Sequence, residues 1–358
     1  MSTTVADRVT VGGWVGSTNL GDELLFRIVS DLLGARGVAV GGPSLDPAGT
    51  AAVHGTEAHG HLNPSALRRS LVASDAFVFG PGGLLQDETG IWNLPYHLRR
   101  IRSARRTGLP WAGIGLGADG LTTNRGRSQV RRTLTGHTAI AVRDEASFDA
   151  LKALGVERVV QAADLTFLAE APAVPGDGVL GVCLRAPQSG RFRPGALDHA
   201  RRWSDDRAAE MATALDDTAR ATGLTVRFLA FDAPSDGVVH RQVAERMATA
   251  AEVVEPELDG LVAALAPVDA MATMRYHGAV LAALGGAGVV ALPFSPKLRS
   301  IADDLGPGAT VLDDAATGLP EAVAGVLGQR HHLADAVDRL RTLAGRNVDV
   351  LDDLLEAS

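Results

Sequence analysis

Three polar residues interrupt a long apolar run in the last third of the chain. In "MATMRYHGAVLAALGG", residues 271–286, Arg275, Tyr276 and His277 stand among Ala, Gly, Leu, Val and Met. A buried guanidinium without a partner is costly, so Arg275 needs either an anion or an opening to solvent. The pattern predicts a strand before the triplet and a helix after it, which favours an anion site at a helix N-terminus. The alternative is an arginine that reaches the surface beside a histidine that caps a loop.

Two glycine-rich turns in the first third of the chain also carry polar side chains. In "GWVGSTNLGDE" the glycines let a ligand approach the backbone, and Asn19 and Asp22 would line a cleft. The turn is not a phosphate-binding Walker loop, because no Lys-Ser/Thr follows the last glycine. In "GPGGLLQDETG", Gln86 and Asp87 would offer acceptors to a hydroxyl-bearing substrate. The alternatives are that Asp22 only caps the next helix and that Gln86 and Asp87 are a solvated helix start.

Two further cations extend this set of candidates. Arg185 ends the apolar segment "GVCLR", and Lys297 opens a predicted helix in "FSPKLRSIADDLG". Both are candidate anion ligands, although a solvated lysine is an equally simple interpretation of Lys297. "GLGADG" is followed by a polar turn, so it does not favour a dinucleotide site. The ten histidines show no metal-ligand spacing, and we expect no metal.

The elements that position these residues alternate regularly. Apolar strand patterns such as "DAFVF" lead through glycine-rich turns into amphipathic helix patterns, which is typical of parallel α/β sheets. Prolines and glycines break the rhythm near residues 167–178, and the pattern then restarts. We therefore expect two Rossmann-like α/β domains that face a cleft, residues 1–170 and 178–330. The last segment, residues 331–358, is expected to form a helix that packs back on the first domain.

Composition narrows the classes of function. The chain has 358 residues, a net formal charge of −8 and a single cysteine, Cys183. This balance argues against a nucleic-acid partner, and the lone cysteine excludes a disulfide framework and favours the cytoplasm. Neither a signal peptide nor a membrane span is expected, since glycines and Pro293 split the longest uncharged stretch. The arginine runs "LRRIRSARR" and "RGRSQVRR" are interpreted as solvated helix faces, with an anionic membrane or lipid-linked partner as the alternative.

Taken together and in order, these motifs resemble the polysaccharide pyruvyl transferase family. The segments that carry the resemblance are "GWVGSTNLGDE", "GPGGLLQD", "AVRDEASFDALKALGV", "AADLTFL", "GVCLR", "MRYHG" and "SPK", and they run from about Val11 to Leu305. Each motif is loose by itself, but the set is specific. The chain departs from the family pattern at Tyr276, Gly278, Leu165 and Ser295, where the family has Leu, Ala, Pro and Asp.

The resemblance implies a GT-B-like fold and the transfer of a pyruvyl group from phosphoenolpyruvate to sugar hydroxyls, typically as a ketal. Phosphoenolpyruvate is then the donor substrate, and no cofactor is expected. Its phosphate and carboxylate would explain Arg185 and Arg275, and His277 is the expected general acid. Asp22 or Asp87 would be the base. The N-terminal domain would hold the sugar and the C-terminal domain the donor.

The acceptor is left open among a cell-wall polymer, a lipid-linked oligosaccharide, a glycolipid and a small glycoside. A lipid-linked acceptor would place the chain at the inner face of the membrane, and association into a homo-oligomer is also open. Two other functions compete with pyruvyl transfer. One is a nucleotide-sugar glycosyltransferase on the same two-domain fold, and the other is a non-catalytic relative of the family.

Overall fold

The computed structural model describes residues 6–88, 90, 92–134, 139–171, 176–187, 202–292, 296–314 and 317–358. Within them, the first sheet is entirely parallel and has the strand order β3-β2-β1-β4-β5-β6-β7. Its strands are β1 Arg8–Val11, β2 Ala39–Ser44, β3 Glu57–Gly60, β4 Ala76–Phe79, β5 Trp111–Leu116, β6 Ile140–Val142 and β7 Val159–Gln161. This order is that of a doubly wound fold, in which the direction of strand order along the sheet reverses beside β1.

Helices cover both faces of this sheet. They are α1 Leu20–Gly34, α2 Pro47–His54, α3 Pro64–Val72, α4 Asn93–Thr107, α5 Asn124–Leu134 and α6 Glu145–Ala153. Helices α3, α4 and α5 pack side by side, because each of them follows a right-handed crossover on the same face. Helix α1 packs on the opposite face against the 3₁₀ turn Leu165–Leu168. We call this unit the N-terminal domain.

The second sheet is also parallel, with the order β10-β9-β8-β11-β12-β13 within the described residues. Its strands are β8 Val179–Cys183, β9 Thr225–Leu229, β10 Ala251–Val254, β11 Val268–Thr273, β12 Gly288–Ala291 and β13 Ala309–Val311. Its helices are α7 Asp205–Thr222, α8 Ala233–Ala244, α9 Leu261–Leu265, α10 Tyr276–Leu284, α11 Pro296–Leu305 and α12 Leu319–Gln329. We call this unit the C-terminal domain. The two sheets are the two Rossmann-like domains that the sequence predicts.

The last helix, α13 Leu333–Glu356, joins the two units. It packs on β5 of the N-terminal domain and on α10 and α11 of the C-terminal domain. The buried side chain of Asn347 makes the central contact, accepting from the Gly115 amide at 2.7 Å and donating to the Ala163 carbonyl at 3.0 Å. Arg36 and Asp352 form an ion pair at 2.6 Å near its end. Among the helices described, none is long and apolar enough to cross a bilayer.

Candidate active site

The two domains meet where α1 and α10 begin, at the carboxyl ends of their central strands. The Leu20 amide donates to the Phe231 carbonyl at 2.7 Å, and the Thr18 hydroxyl donates to Asp232 at 2.7 Å. Gly21, in the first turn of α1, faces His277 so closely that a Cβ at this position would overlap the imidazole ring. Ligands of doubly wound sheets bind at this edge, so the contact marks the candidate site.

Arg275 is the N-cap residue of α10, and its guanidinium is paired within the protein. Its Nε donates to Asp236 at 3.0 Å and its Nη2 donates to the other oxygen of the same carboxylate at 2.6 Å. Asp232 lies 3.4 Å from Nη2. Burial acts to lower the pKa of Arg275, but Asp236 outweighs it and the pKa is raised. The anionic partner that the sequence requires is therefore a carboxylate of α8, and the role of Arg275 as a ligand of substrate stays a prediction.

Arg185 lies beside this pair, just beyond the end of β8. Burial and the nearby charge of Arg275 lower the pKa of Arg185 to about 10, even though Asp236, Asp232 and Asp22 act in the opposite direction. A bound anion next to Arg185 would oppose both effects, because negative charge favours the protonated guanidinium.

His277 occupies the first turn of α10, and its side chain is 11% exposed. Its Nε2 lies 3.9 Å from Oδ2 of the buried Asp164, and neither atom has a hydrogen-bond partner among the described residues. Burial lowers the pKa of His277 to about 4, an effect that Asp164 partly offsets and that Lys297 and Arg143 reinforce. The imidazole is therefore neutral at pH 7 in the absence of a bound anion.

Asp22 lies in the first turn of α1, directly after Gly21, which contacts His277 of α10. Asn19, the N-cap residue, donates its side-chain amide to Asp22 at 2.6 Å and accepts from the Gly21 amide at 3.3 Å. Asp22 also borders Gly82, whose φ of +119° is accessible to glycine and strained for other residues. Burial raises the pKa of Asp22 to about 6, although Lys297 and the Asn19 hydrogen bond oppose the shift. A carboxyl group with this pKa is suited to proton transfer near neutral pH.

Lys297, in the first turn of α11, completes the set of charges around Asp22. Burial lowers the pKa of Lys297 to about 8, and the nearby cations Arg143 and Arg185 lower it further, whereas Asp119 and Asp22 raise it. Lys297 therefore interacts electrostatically with charged side chains of both domains. Ser295, two residues earlier, lies outside the described residues.

Asp87 has a different environment from Asp22. Its carboxylate accepts from the backbone amides of Thr122 and Thr123, at 2.8 and 3.2 Å, and from both of their hydroxyls. Burial acts to raise its pKa, but these hydrogen bonds lower it overall. Gln86 lies in the same loop against Gly120, and its carbonyl accepts from Asn93 at 3.3 Å. The carboxylate of Asp87 thus stabilises the turn before α5, so Asp22 is the stronger candidate for the base.

Tyr276, the first residue of α10, is buried and packs on His277, with ring centroids 5.4 Å apart. Its other neighbour is Arg143 of the N-terminal domain, whose guanidinium carbon lies 4.9 Å from the Tyr276 ring centroid. Arg143 in turn lies 3.2 Å from Asp144 and 3.6 Å from Asp119. The aromatic ring therefore holds an arginine of one domain against the helix N-terminus of the other.

A cluster of aromatic side chains borders the same edge of the N-terminal domain. Trp14, of the β1–α1 turn, lies 6.2 Å from Tyr96 and 6.5 Å from His61, measured between ring centroids. Arg100 stacks over Tyr96 at 4.4 Å and donates to the Gly13 carbonyl at 2.7 Å, which attaches α4 to this turn. The chain has only four tryptophans and two tyrosines, so the pairing of Trp14 and Tyr96 here is a marked concentration. We call Trp14, His61 and Tyr96 the aromatic wall.

A sequence profile described as polysaccharide pyruvyl transferase matches residues 19–296, which include both sides of this cleft. The chain belongs to the polysaccharide pyruvyl transferase family. A comparison with curated proteins found no match. The family resemblance of the sequence motifs is thereby confirmed, and the pyruvyl transferase motifs lie on the strand-end turns described above.

Solved structures that resemble this pyruvyl transferase family member are GT-B glycosyltransferases. Phytolacca americana UGT2, complexed with UDP-2fluoro-glucose and pterostilbene, has a TM-score of 0.61 at 12% identity, over 98% of this chain and 99% of that chain. Anabaena Alr3699/HepE in complex with UDP has a TM-score of 0.58 at 14% identity, over 98% and 99%. Acinetobacter baumannii MurG has a TM-score of 0.53 at 11% identity, over 97% and 99%. At these identities the likeness shows the fold alone, and the expected GT-B fold is confirmed.

Three residues of this pyruvyl transferase family site were not singled out from the sequence. Arg143 follows β6, Asp164 follows β7 and Asp236 lies in α8. The first two have a signal that could have identified them, since Arg143 comes directly after β6 and Asp164 three residues after β7, at the edge where ligands bind. Asp236 has no such signal, because it lies in the first turn of a helix that begins "APSDGVVH".

Proposed function

We propose that this chain transfers a pyruvyl group from phosphoenolpyruvate to two hydroxyls of a sugar, with release of phosphate. The observation that supports the proposal is the convergence of buried cations on one cleft. Arg143, Arg185, Arg275 and Lys297 lie around His277 and Asp22, and burial, reinforced by neighbouring cations, lowers the pKa values of Arg185 and Lys297. A donor with both a phosphate and a carboxylate would bring two anionic groups to these cations. The proposal includes no separate cofactor.

In the proposed reaction a proton is delivered to the methylene carbon of phosphoenolpyruvate, which leaves an oxocarbenium-like centre at C2. One sugar hydroxyl attacks C2 and loses its proton, for which Asp22 is the proposed base. Phosphate then leaves with its bonding electrons, and the second hydroxyl attacks C2 and loses its proton. The product is a cyclic ketal, and the protons released by the two hydroxyls balance those taken up by the methylene carbon and by the phosphate.

His277 is the proposed acid, and its environment sets a condition for that role. With a pKa of about 4, the imidazole of the free protein carries no proton to deliver at pH 7. A dianionic donor bound against Arg185, Lys297 and the α10 N-terminus would raise the pKa of His277 by its negative charge. The unpartnered carboxylate oxygen of Asp164, 3.9 Å away, would then stabilise the imidazolium. Donor binding and proton uptake are therefore coupled in this proposal.

The acceptor side of the proposal is the N-terminal domain. The aromatic wall borders the cleft next to Asp22, and aromatic rings with polar edges suit a sugar, which has apolar C–H faces and hydroxyl groups. The proposed acceptor is a sugar or glycan, whether a cell-wall polymer, a lipid-linked oligosaccharide, a glycolipid or a small glycoside. The proposal also places the chain in the cytoplasm, and close to the inner membrane face for a lipid-linked acceptor. It further includes self-association of the chain.

The test is phosphate release from phosphoenolpyruvate in the presence of a panel of candidate glycan acceptors. We expect His277→Gln to lower phosphate release by at least about a thousandfold, in the range of general acid catalysis. The melting temperature should still rise when phosphoenolpyruvate is added, since the cations remain. His332→Gln, which changes a histidine outside the site, is the matched control. Full activity of His277→Gln would overturn the assignment of the acid.

A nucleotide-sugar glycosyltransferase is the second candidate, because Phytolacca americana UGT2 and Anabaena Alr3699/HepE were solved with UDP or a UDP-sugar. A diphosphate could use the same α10 N-terminus. Thermal-shift titrations of the unmodified chain with phosphoenolpyruvate and with UDP-glucose separate the two functions. Stabilisation by UDP-glucose alone would contradict pyruvyl transfer.

A further inference from the structure

One segment of the N-terminal domain has a charge opposite to that of the rest of the chain. Residues 90–142 contain nine arginines, no lysine, no glutamate and a single aspartate, Asp119, which gives a formal charge of +8. The whole chain has a net formal charge of −8. The candidate active site uses only one of these arginines, Arg100, which is buried against the aromatic wall. The other eight need a different explanation.

The fold gathers four of these arginines, Arg99, Arg102, Arg106 and Arg132, on one outer surface. Arg99, Arg102 and Arg106 follow a helical spacing of three, four and seven residues, so they form one stripe along α4. Helix α5 packs next to α4, and Arg102 donates to the Thr133 hydroxyl of α5 at 3.1 Å. Arg132 extends the stripe from α5. Helix α3, on the other side of α4, adds two exposed arginines, Arg68 and Arg69. We call the outer side of α3, α4 and α5 the arginine face.

Part of the charge of the arginine face is not neutralised by neighbouring carboxylates. Several arginines elsewhere are paired, as in Arg36–Asp352 at 2.6 Å and Arg227–Glu252 at 2.7 Å. Within the described part of the chain, Arg99, Arg106 and Arg132 have no such ion pair. Burial lowers the pKa of Arg102, and the repulsion from Arg132 and Arg106 lowers it further, which places these three cations close together.

Apolar side chains lie at the ends of the same helices. Leu62, two residues before α3, is 55% exposed, Val72 at the end of α3 is 65% exposed, and Trp92, directly before α4, is 62% exposed. Trp92 stands seven residues before Arg99, which puts it on the same stripe. Basic side chains bordered by an exposed tryptophan and aliphatic residues are typical of surfaces that rest on a bilayer interface.

We propose that the arginine face binds the anionic surface of a lipid bilayer. A bilayer fits better than a nucleic acid for two reasons. The exposed apolar side chains of Trp92 and Val72 are stabilised by contact with a bilayer interface. The rest of the chain is strongly acidic and would repel an extended polyanion. Each arginine near such a surface strengthens partition by about fivefold. This inference does not depend on the proposed transfer reaction.

The first experiment uses the unmodified full chain in vesicle co-sedimentation. Vesicles of phosphatidylcholine alone are compared with vesicles in which phosphatidylglycerol replaces about a third of the lipid. This fraction gives the vesicle surface a negative charge of the same order as that of an anionic leaflet. We expect binding to the anionic vesicles only, and loss of this binding as the salt concentration rises. No binding to anionic vesicles at low salt, or equal binding to both vesicle types, would overturn the proposal.

The second experiment tests which surface is responsible. The triple variant Arg99→Gln/Arg106→Gln/Arg132→Gln should bind anionic vesicles about a hundredfold more weakly, from three losses of about fivefold each. The control Arg207→Gln/Arg220→Gln/Arg241→Gln removes three exposed arginines of the C-terminal domain, and hence the same charge, and should bind as the unmodified chain does. An equal loss in both variants contradicts the proposal. So does tighter binding of the unmodified chain to a double-stranded DNA or RNA oligonucleotide than to vesicles at the same salt concentration.

Discussion

Two glycine-rich turns of the N-terminal domain look alike in sequence and differ in the folded chain. The turn after β1 leads to Asp22, three residues after Asn19, and the turn after β4 leads to Asp87, directly after Gln86. Asp87 accepts four hydrogen bonds from Thr122 and Thr123, and its pKa is lowered. Asp22 accepts from Asn19, faces the cleft, and has a pKa raised to about 6.

The difference shows what distinguishes a structural carboxylate from a reactive one. Donors that satisfy the carboxylate lower its proton affinity and keep it ionised, which makes it a good helix cap and a poor base near neutral pH. A carboxylate that is desolvated with few donors keeps a higher proton affinity and can exchange a proton. Both aspartates precede or begin a helix, so neither position nor residue type separates them.

The largest effect that tests this comparison is expected from Asp22→Asn. Asparagine keeps the size of the side chain but cannot take the proton of a sugar hydroxyl. We expect the rate of phosphate release to fall by about a thousandfold, within the range of general base catalysis. The melting temperature should not fall, because the substitution removes a desolvated carboxyl group. Activity close to that of the unmodified chain would show that Asp22 is not the base.

The pH dependence of kcat at saturating phosphoenolpyruvate gives a second, smaller test, because the proposal has His277 already protonated in that complex. The pKa of Asp22 is raised from 3.8 to about 6, so the base is ionised above pH 6 and becomes protonated as the pH falls through 6. We expect kcat to fall about tenfold for each pH unit below this value, because only the ionised fraction accepts a proton. The residual activity of Asp22→Asn should lack this acid limb. An acid limb near pH 4 in the unmodified chain would instead indicate an ordinary carboxylate.

The smallest effect on chemistry is expected from Asp87→Asn. An amide can replace only part of the four hydrogen bonds, so the free energy of unfolding should fall by about 1 kcal/mol, the usual size of a lost hydrogen bond. Because the pKa of Asp87 is lowered in the folded chain, its contribution is present above its unfolded-state pKa and is lost as the pH falls through the folded-state value. Urea unfolding of both proteins at neutral pH measures the difference. A thousandfold loss of phosphate release with unchanged stability would reverse the two roles.

Much of the fold and part of the candidate site could be predicted from local pattern. Alternating strands and helices indicate two Rossmann-like domains, and the apolar strand before Arg275 indicates that a helix begins directly after it, as α10 does at Tyr276. The partners of these residues were not predictable. Asp236 is 39 positions from Arg275 in the chain. Nothing in the residues around it distinguishes Asp236 from other helix-start acids.

The sequence by itself determined the order of strands and helices, the glycine-rich turns, and the presence of cations and a histidine where strands end. These properties depend on neighbouring residues, through side-chain periodicity and backbone freedom. Only the tertiary structure decided which partners these residues have. Asp236 neutralises Arg275, and Asp164 faces His277. Thr122 and Thr123 donate hydrogen bonds to Asp87, whereas Asp22 stays desolvated. The physical reason is that proton affinity and ion pairing depend on distance and dielectric environment, which are set by groups brought together from distant parts of the chain.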